Sequence, residues 1–153
     1  MKKLYVENSI EIAASPARVW QVLTTPAWTE KWAREFGATG PIDSDWTMGS
    51  TVLWRNAQGE VYVRGNVIDV APHQLLRFTV CDVFSPAMRP VSGSADDEIT
   101  QSYSLVAGQA HTVLHIAHGD FAKLANGEQL YPLVIQLWDR LLPRLKELAE
   151  SSE

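Results

Sequence analysis

The sequence predicts an α+β fold in which two short helices and one long helix pack on a curved antiparallel sheet of six to seven strands. Three observations carry this prediction. The N-terminal segment alternates apolar and polar residues, as a half-buried strand does. The middle of the chain contains further alternating segments separated by turn residues. The C-terminal segment repeats apolar residues at three- and four-residue spacing, which indicates an amphipathic helix.

The first strand is predicted over Leu4–Ala14, and two short helices follow it. Ser15-Pro16 supplies a favoured N-cap residue and a proline at the first helical position. Thr25-Pro26 ends this helix and opens the second one, in which Trp28 and Trp32 lie one turn apart on the same side.

Five more strands are predicted after these helices, at Thr51–Asn56, Glu60–Val70, Gln74–Asp82, Ile99–Val106 and His111–His118. The segment Phe84–Asp96 contains two prolines and a Gly-Ser stretch, so we expect a mobile loop there. The apolar stripe of the last helix runs from Leu130 to Leu148 and includes Val134, Leu137, Trp138 and Leu141. Pro132 fits the start of this helix, whereas Pro143 predicts a kink near Asp139–Leu142.

Length, charge and cysteine content limit the number of domains, the partners and the cellular compartment that this protein could have. A chain of 153 residues fits one domain over residues 1–153. The net charge of −5 and scattered basic residues argue against nucleic acid and membrane surfaces as partners. One cysteine suits a reducing compartment, and neither a signal peptide nor an apolar run long enough to span a membrane is apparent. We therefore expect a cytoplasmic protein, and a monomer.

Three histidines, at positions 111, 115 and 118, stand close together in sequence. On a helix they could converge on a metal, but the β-branched residues between them favour a strand, on which His118 faces away from the other two. No metal site is expected. His118 shares the inward parity of Leu114 and Ile116. It could bind a ligand or act as a base, or it could simply be hydrogen-bonded at the strand end.

Several short motifs together resemble a known family. The segment S15-P-A-R-V-W-Q-V-L-T-T-P26 is followed by two tryptophans, and Met48-Gly49-Ser50, Gly65-Asn66-Val67 and His118-Gly119-Asp120-Phe121 appear in order after it. This set resembles START-like domains, the Bet v 1-like or helix-grip (SRPBCC) superfamily. Within that superfamily it looks most like the branch named after the activator of Hsp90 ATPase (AHSA1-like).

The resemblance implies an apolar cavity between the sheet and the long helix, which binds a small hydrophobic or amphipathic molecule. Its volume is expected to lie at ~300–1,000 Å³. The residues expected to line it are Trp28, Trp32, Trp54, Val63, Val67, Phe78, Val80, Tyr103, Leu114, Ile116, His118, Trp138 and Leu141. For the tryptophans, packing in the core is the competing interpretation. No cofactor is expected.

Two other functions stay open at this point. An enzyme resembling the polyketide cyclases of the superfamily would use polar groups in the cavity, and His118, Tyr103 and Asp69 are the candidates. A module that contacts the Hsp90 chaperone is implied by the family resemblance alone.

Overall fold

A computed structural model describes residues 2–36, 42–56, 58–82, 90–94 and 97–151. Within these ranges six strands form one antiparallel sheet, in the spatial order β1-β6-β5-β4-β3-β2. The strands are β1 (Val6–Ile12), β2 (Thr51–Arg55), β3 (Val61–Ala71), β4 (Leu75–Asp82), β5 (Ile99–Ala107) and β6 (Thr112–Gly119). The helices are α1 (Pro16–Thr24), α2 (Pro26–Trp32) and α3 (Gly127–Glu150), with short 3-10 helices at Ala33–Phe36 and Phe121–Lys123. The predicted α+β architecture is confirmed.

Helix α1 begins where the sequence predicts. The Ser15 side chain accepts a hydrogen bond from the backbone N–H of Arg18 at 3.2 Å, and Pro16 occupies the first helical position. These contacts satisfy a backbone donor that the first turn leaves unpaired. The helix buries Val19, Val22 and Leu23 against the core.

Helix α3 begins at Gly127, ahead of the expected start at Pro132, and runs continuously through Pro143. The kink near Asp139–Leu142 stays a prediction. Contacts tie the helix to β1 and its flanks: the Tyr131 hydroxyl donates to the carbonyl oxygen of Tyr5 at 2.7 Å, and Lys146 Nζ donates to that of Glu11 at 3.0 Å. The helix therefore lies across the β1 side of the sheet.

Strand β3 departs twice from regular pairing. Its register with β2 shifts between Trp54 and Arg55, and its register with β4 shifts between Val67 and Asp69. Each shift is a β-bulge, which bends a strand and exchanges the faces of the residues beyond it. Between the bulges, β3 passes so close to β4 that a side-chain carbon at Gly65 would lie 1.7 Å from the carbonyl oxygen of Thr79. Only glycine fits this position.

One hydrophobic core fills the space between the sheet and the helices. Aromatic rings from three elements meet in it, with ring centroids 6.0 Å apart for Phe78 and Tyr103 and 6.3 Å apart for Tyr103 and Trp138. Of the predicted loop Phe84–Asp96, only residues 90–94 lie among the described residues. No helix in the described part of the chain has both the length and the apolar character needed to cross a membrane.

Candidate functional site

A cavity of about 220 Å³ lies between the sheet and α3. Its lining consists of Trp54, Tyr62, Val63, Val80, Asp82, Ile99, Gln101, His118, Phe121, Val134 and Leu137. The volume falls below the ~300–1,000 Å³ expected from the sequence, because the aromatic rings of the core occupy the middle of the sheet. An apolar cavity of ~150 Å³ holds benzene, so this one has room for a ligand of one or two rings.

Four of the predicted lining residues lie on the cavity: Trp54, Val63, Val80 and His118. Eight others are buried in the core without lining it, namely Trp32, Val67, Phe78, Tyr103, Leu114, Ile116, Trp138 and Leu141. They share the inner face of the sheet or helix with the lining residues, but they pack against one another. The inward orientation of a side chain therefore does not show whether that residue packs in the core or lines the cavity.

The placement of Trp28 and Trp32 corrects the expectation that they form a cavity wall. The indole N–H of Trp32 donates to the carbonyl oxygen of Val22 at 2.7 Å, and its side chain is 1% exposed. Trp28 is half-buried, and its ring lies under two cations, the Arg18 guanidinium at 4.3 Å and the Lys31 ammonium at 4.5 Å. Trp32 therefore packs the core, while Trp28 joins α1 to α2 through cation–π contacts.

Several lining residues were missed by the sequence analysis, and most of them carried a signal. Asp82 continues the alternation of Phe78 and Val80 along β4, and Gln101 shares its face of β5 with Tyr103. Both residues would have been predicted if every second residue of these strands had been followed one position further. Val134 and Leu137 belong to the predicted apolar stripe of the last helix.

Tyr62 had no such signal. Val63 pairs with Trp54, and Val61 pairs with Arg55, so Tyr62 is the extra residue of the first bulge. Strict alternation would send its side chain to the outer face with Arg64. Burial, and to a lesser extent the negative charge of Asp82, raise the pKa of Tyr62 to about 12, so its hydroxyl stays protonated at neutral pH.

His118 lies buried in the lining of the cavity. It is 6% exposed, and its Nδ1 accepts a hydrogen bond from the indole N–H of Trp138 at 3.1 Å. The ring of Phe121 lies against it, with centroids 5.0 Å apart. Burial lowers the pKa of His118 to about 3, because the charged imidazolium would lose its hydration. The side chain is therefore neutral at physiological pH, and its partner Trp138 supports the hydrogen-bonded interpretation.

Gln101 stands beside His118 and is held by Tyr103. The Tyr103 hydroxyl donates to Gln101 Oε1 at 3.1 Å, and burial raises the pKa of that hydroxyl well above its ordinary value. Tyr103 thus contributes to the site by orienting Gln101 and does not line the cavity itself.

Asp69, one of the candidate catalytic groups, does not line the cavity. The second bulge leaves Ile68 as the extra residue of β3, so Asp69 pairs with Arg77 and both are exposed. Val70, which strict alternation would turn outward, takes the inward position instead.

The three clustered histidines do not converge. His118 is buried, whereas His115 is exposed on the opposite face of β6, as the predicted strand requires. Among the residues that the structure describes, no group of three or more histidine, cysteine, aspartate or glutamate side chains is arranged to hold a metal ion.

Residues 13–150 match the family model for Activator of Hsp90 ATPase homolog 1-like protein. The chain belongs to this family. No curated protein matches the chain.

Solved structures show the same fold. Protein MLL2253 from Mesorhizobium loti has a TM-score of 0.77 at 19% identity, over 97% of this chain and 98% of that one. The Aha1 dimer from Colwellia psychrerythraea has a TM-score of 0.72 at 19% identity, over 97% and 98%. DynU16 has a TM-score of 0.70 at 18% identity, over 99% of this chain and 49% of that one. The START-like, helix-grip fold that the sequence motifs resemble is therefore confirmed.

Proposed function

We propose that this protein binds a compact hydrophobic or amphipathic molecule in the cavity between its sheet and α3. The observation that carries the proposal is the cavity of about 220 Å³ in an otherwise packed core. The cavity is partly open to solvent, which gives a ligand a route into an interior that is otherwise densely packed. Apolar walls from the sheet and α3, with a few polar groups among them, are typical of small-molecule sites.

The size of the cavity limits the ligand and its affinity. Burying ~200 Å² of apolar ligand surface contributes ~5 kcal/mol before the ordering costs of binding. An apolar probe without polar contacts should therefore bind with a dissociation constant in the micromolar to millimolar range. Ethylbenzene is a suitable probe, because it is one substituted ring and carries no hydrogen-bonding group.

The test uses the six tryptophan indole N–H resonances of the ¹⁵N-labelled protein as reporters. Ethylbenzene in the cavity should shift the resonance of Trp54, which lines the cavity, and leave that of Trp28 in place. If ethylbenzene near its solubility limit leaves the Trp54 resonance unmoved, the proposed function is wrong.

A pair of neighbouring substitutions on α3 provides the matched control. Val134 lines the cavity, whereas Leu133, the next residue on the same helix, is 60% exposed. Val134→Phe should fill the cavity and weaken ethylbenzene binding at least tenfold, and Leu133→Phe should leave it unchanged. Equal binding to the two variants would place the probe elsewhere on the protein.

Neither alternative function has a specific observation in its favour. Of the three candidates for the enzyme alternative, His118 lines the cavity, whereas Asp69 is exposed and Tyr103 is not among the described lining residues. The chaperone alternative rests on the family description and on the name of the Aha1 relative. By contrast, DynU16 is a protein of the dynemicin biosynthetic locus, which supports a role near small-molecule chemistry by analogy.

A further inference from the structure

A second recess, the outer cleft, lies on the face of the sheet that points away from the core and has a volume of about 240 Å³. Its floor is a row across three strands, in which Thr79 on β4 pairs with Thr100 on β5, and Thr100 pairs with Gly119 on β6. The chain neighbours of Thr79, Phe78 and Val80, are buried in the core, so the row faces outward. Four charged side chains are part of the described lining, those of Arg77, Glu98, Asp120 and Lys123.

The strand register places opposite charges on opposite sides of this row. On β4, Arg77 lies two residues from the row, in the direction of its partner Ser102. Glu98 lies two residues from the row in the other direction, and Asp120 follows the row on β6 toward the same side as Glu98. Arg77 and Glu98 are therefore about 13 Å apart along the strand direction. The outer cleft has carboxylates at one end and a guanidinium at the other.

Asp120 is the buried carboxylate of the outer cleft, with 7% of its surface exposed. Its Oδ1 accepts from the backbone N–H groups of Leu4 at 2.8 Å and Ala122 at 2.9 Å, whereas Oδ2 has no hydrogen-bond or ion-pair partner among the described residues. Oδ2 is also not one of the described side-chain atoms that are sealed from solvent without a partner. It therefore faces open space, and the outer cleft is the recess that Asp120 lines. A carboxylate oxygen in this setting favours a charged donor.

The remaining charges differ in whether the protein already neutralises them. Lys123 Nζ pairs with Asp97 Oδ1 at 3.3 Å, and the Asp97 carboxylate also accepts from the Ser92 hydroxyl at 2.7 Å. By contrast, the side chains of Arg77 and Glu98 make no ion pair or hydrogen bond with any described residue. The guanidinium end and the carboxylate end are thus both open to a ligand.

We propose that the outer cleft binds a small zwitterion, a compact molecule with an ammonium group at one end and a carboxylate at the other. The ammonium donates to Asp120 Oδ2 with Glu98 nearby, and the carboxylate accepts from the planar fork of the Arg77 guanidinium. This site goes beyond the proposed function, because no described residue lines both the outer cleft and the cavity.

Three probes with the same four-carbon chain test the proposal: 4-aminobutyrate carries both charges, butylamine only the ammonium, and butyrate only the carboxylate. The methyl resonances of Ile68, which lines the outer cleft, report binding there, and the indole N–H of Trp54 reports binding in the cavity. We expect 4-aminobutyrate to move the Ile68 resonances with a dissociation constant in the millimolar range, roughly fivefold or more below that of either other probe. Equal binding of butylamine or butyrate would overturn the proposal. So would shifts confined to Trp54, or no shift with any probe.

Matched arginine variants test the carboxylate end. Arg77→Gln should weaken 4-aminobutyrate binding to the level of butylamine and leave butylamine binding unchanged. Arg64→Gln is the control, since Arg64 is exposed on β3 and is not part of the described lining. Equal affinities of the two variants for 4-aminobutyrate would contradict the role of Arg77.

Asp120→Asn tests the ammonium end, because it keeps an oxygen for the two backbone N–H groups and removes the charge. It should weaken the binding of both 4-aminobutyrate and butylamine at least fivefold. Glu98→Gln changes the same end without touching a backbone contact, so it serves if Asp120→Asn does not fold, and it should weaken both probes in the same direction. Unchanged binding to a folded variant of either kind would show that the ammonium does not lie there.

Discussion

At the scale of single residues, His118 couples the site to pH. Its pKa falls from 6.5 to about 3 on folding, because burial removes the hydration that the charged imidazolium would need. In the unfolded chain the same ring gains a proton below pH 6.5. The unfolded state therefore binds more protons than the folded state between pH 6.5 and pH 3, and stability falls as the pH is lowered through this range.

We predict a loss of about 1.4 kcal/mol in the free energy of unfolding for each pH unit below 6.5 from this residue alone, or about 2 kcal/mol at pH 5. Urea unfolding at pH 7 and pH 5 measures the change. Because carboxylates also titrate, the comparison is with His118→Phe, which should lose about 2 kcal/mol less over the same interval. Equal losses in the two proteins would show that His118 is hydrated or already charged in the folded state.

The tryptophans show at the same scale what the sequence could determine. The spacing of Trp28 and Trp32 correctly placed both on one short helix, but it left lining and packing open. Their roles depend on partners far away in the chain or on another helix, such as the Val22 carbonyl for Trp32 and the Arg18 guanidinium for Trp28. No local pattern encodes such partners.

At the scale of secondary-structure elements, Arg18 holds three helices together. Its guanidinium donates to the carbonyl oxygens of Ala149 at 3.2 Å and of Leu148 and Ser151 at 3.3 Å, at the C-terminal end of α3. The Leu148 carbonyl also accepts from the Ser151 hydroxyl at 2.7 Å, so Arg18 adds to the C-terminal cap of α3. The helix dipole favours a positive charge at this end. The same guanidinium lies over the ring of Trp28 on α2.

We therefore predict that Arg18→Ala lowers the free energy of unfolding by about 1–3 kcal/mol, since charge-assisted hydrogen bonds and a cation–π contact are lost together. Arg18→Lys should recover less than half of the loss, because an ammonium group cannot reproduce the planar fork of donors. Arg144→Ala is the control. Among the described residues, Arg144 on α3 makes only a solvent-exposed ion pair with Glu147, so its loss should change the free energy of unfolding little. Equal effects of Arg18→Ala and Arg144→Ala in urea unfolding would contradict the joining role.

The elements were predictable from sequence, but their irregularities were not. Period and capping residues located six strands and three helices, with most ends within one or two residues of those observed. The two bulges of β3 have no such signature, and they decide the site. One adds Tyr62 to the cavity, and the other turns Asp69 to the outer face. The size of the cavity also depends on how the aromatic rings of different strands fill the core.

At the scale of the whole molecule, the cavity and the anchoring of α3 lie on different parts of the sheet. The helix is tied to β1 and its flanks through Tyr131, Lys146 and Glu150, the last accepting from the backbone N–H of Ala13 at 2.7 Å. Strand β1, α1 and α2 contribute nothing to the described cavity lining, which comes from β2 to β6, Phe121 and α3. A ligand should therefore stabilise the β2–β4 side of the sheet without altering the β1 side.

Hydrogen exchange with and without ethylbenzene tests this division. Amides that exchange through global unfolding slow equally everywhere when a ligand binds the folded state, so the informative amides are those that exchange by local opening. At a probe concentration ten times the dissociation constant, we expect these amides in β2, in the 61–63 end of β3 and around Val134 to slow by up to about tenfold. Locally opening amides of α1 and α2 should not respond, and Val134→Phe should reduce the protection to about twofold or less. Protection of α1 and α2 in place of β2 and β3 would place the binding site among the tryptophans of α2, where Trp28 and Trp32 pack, and away from the cavity.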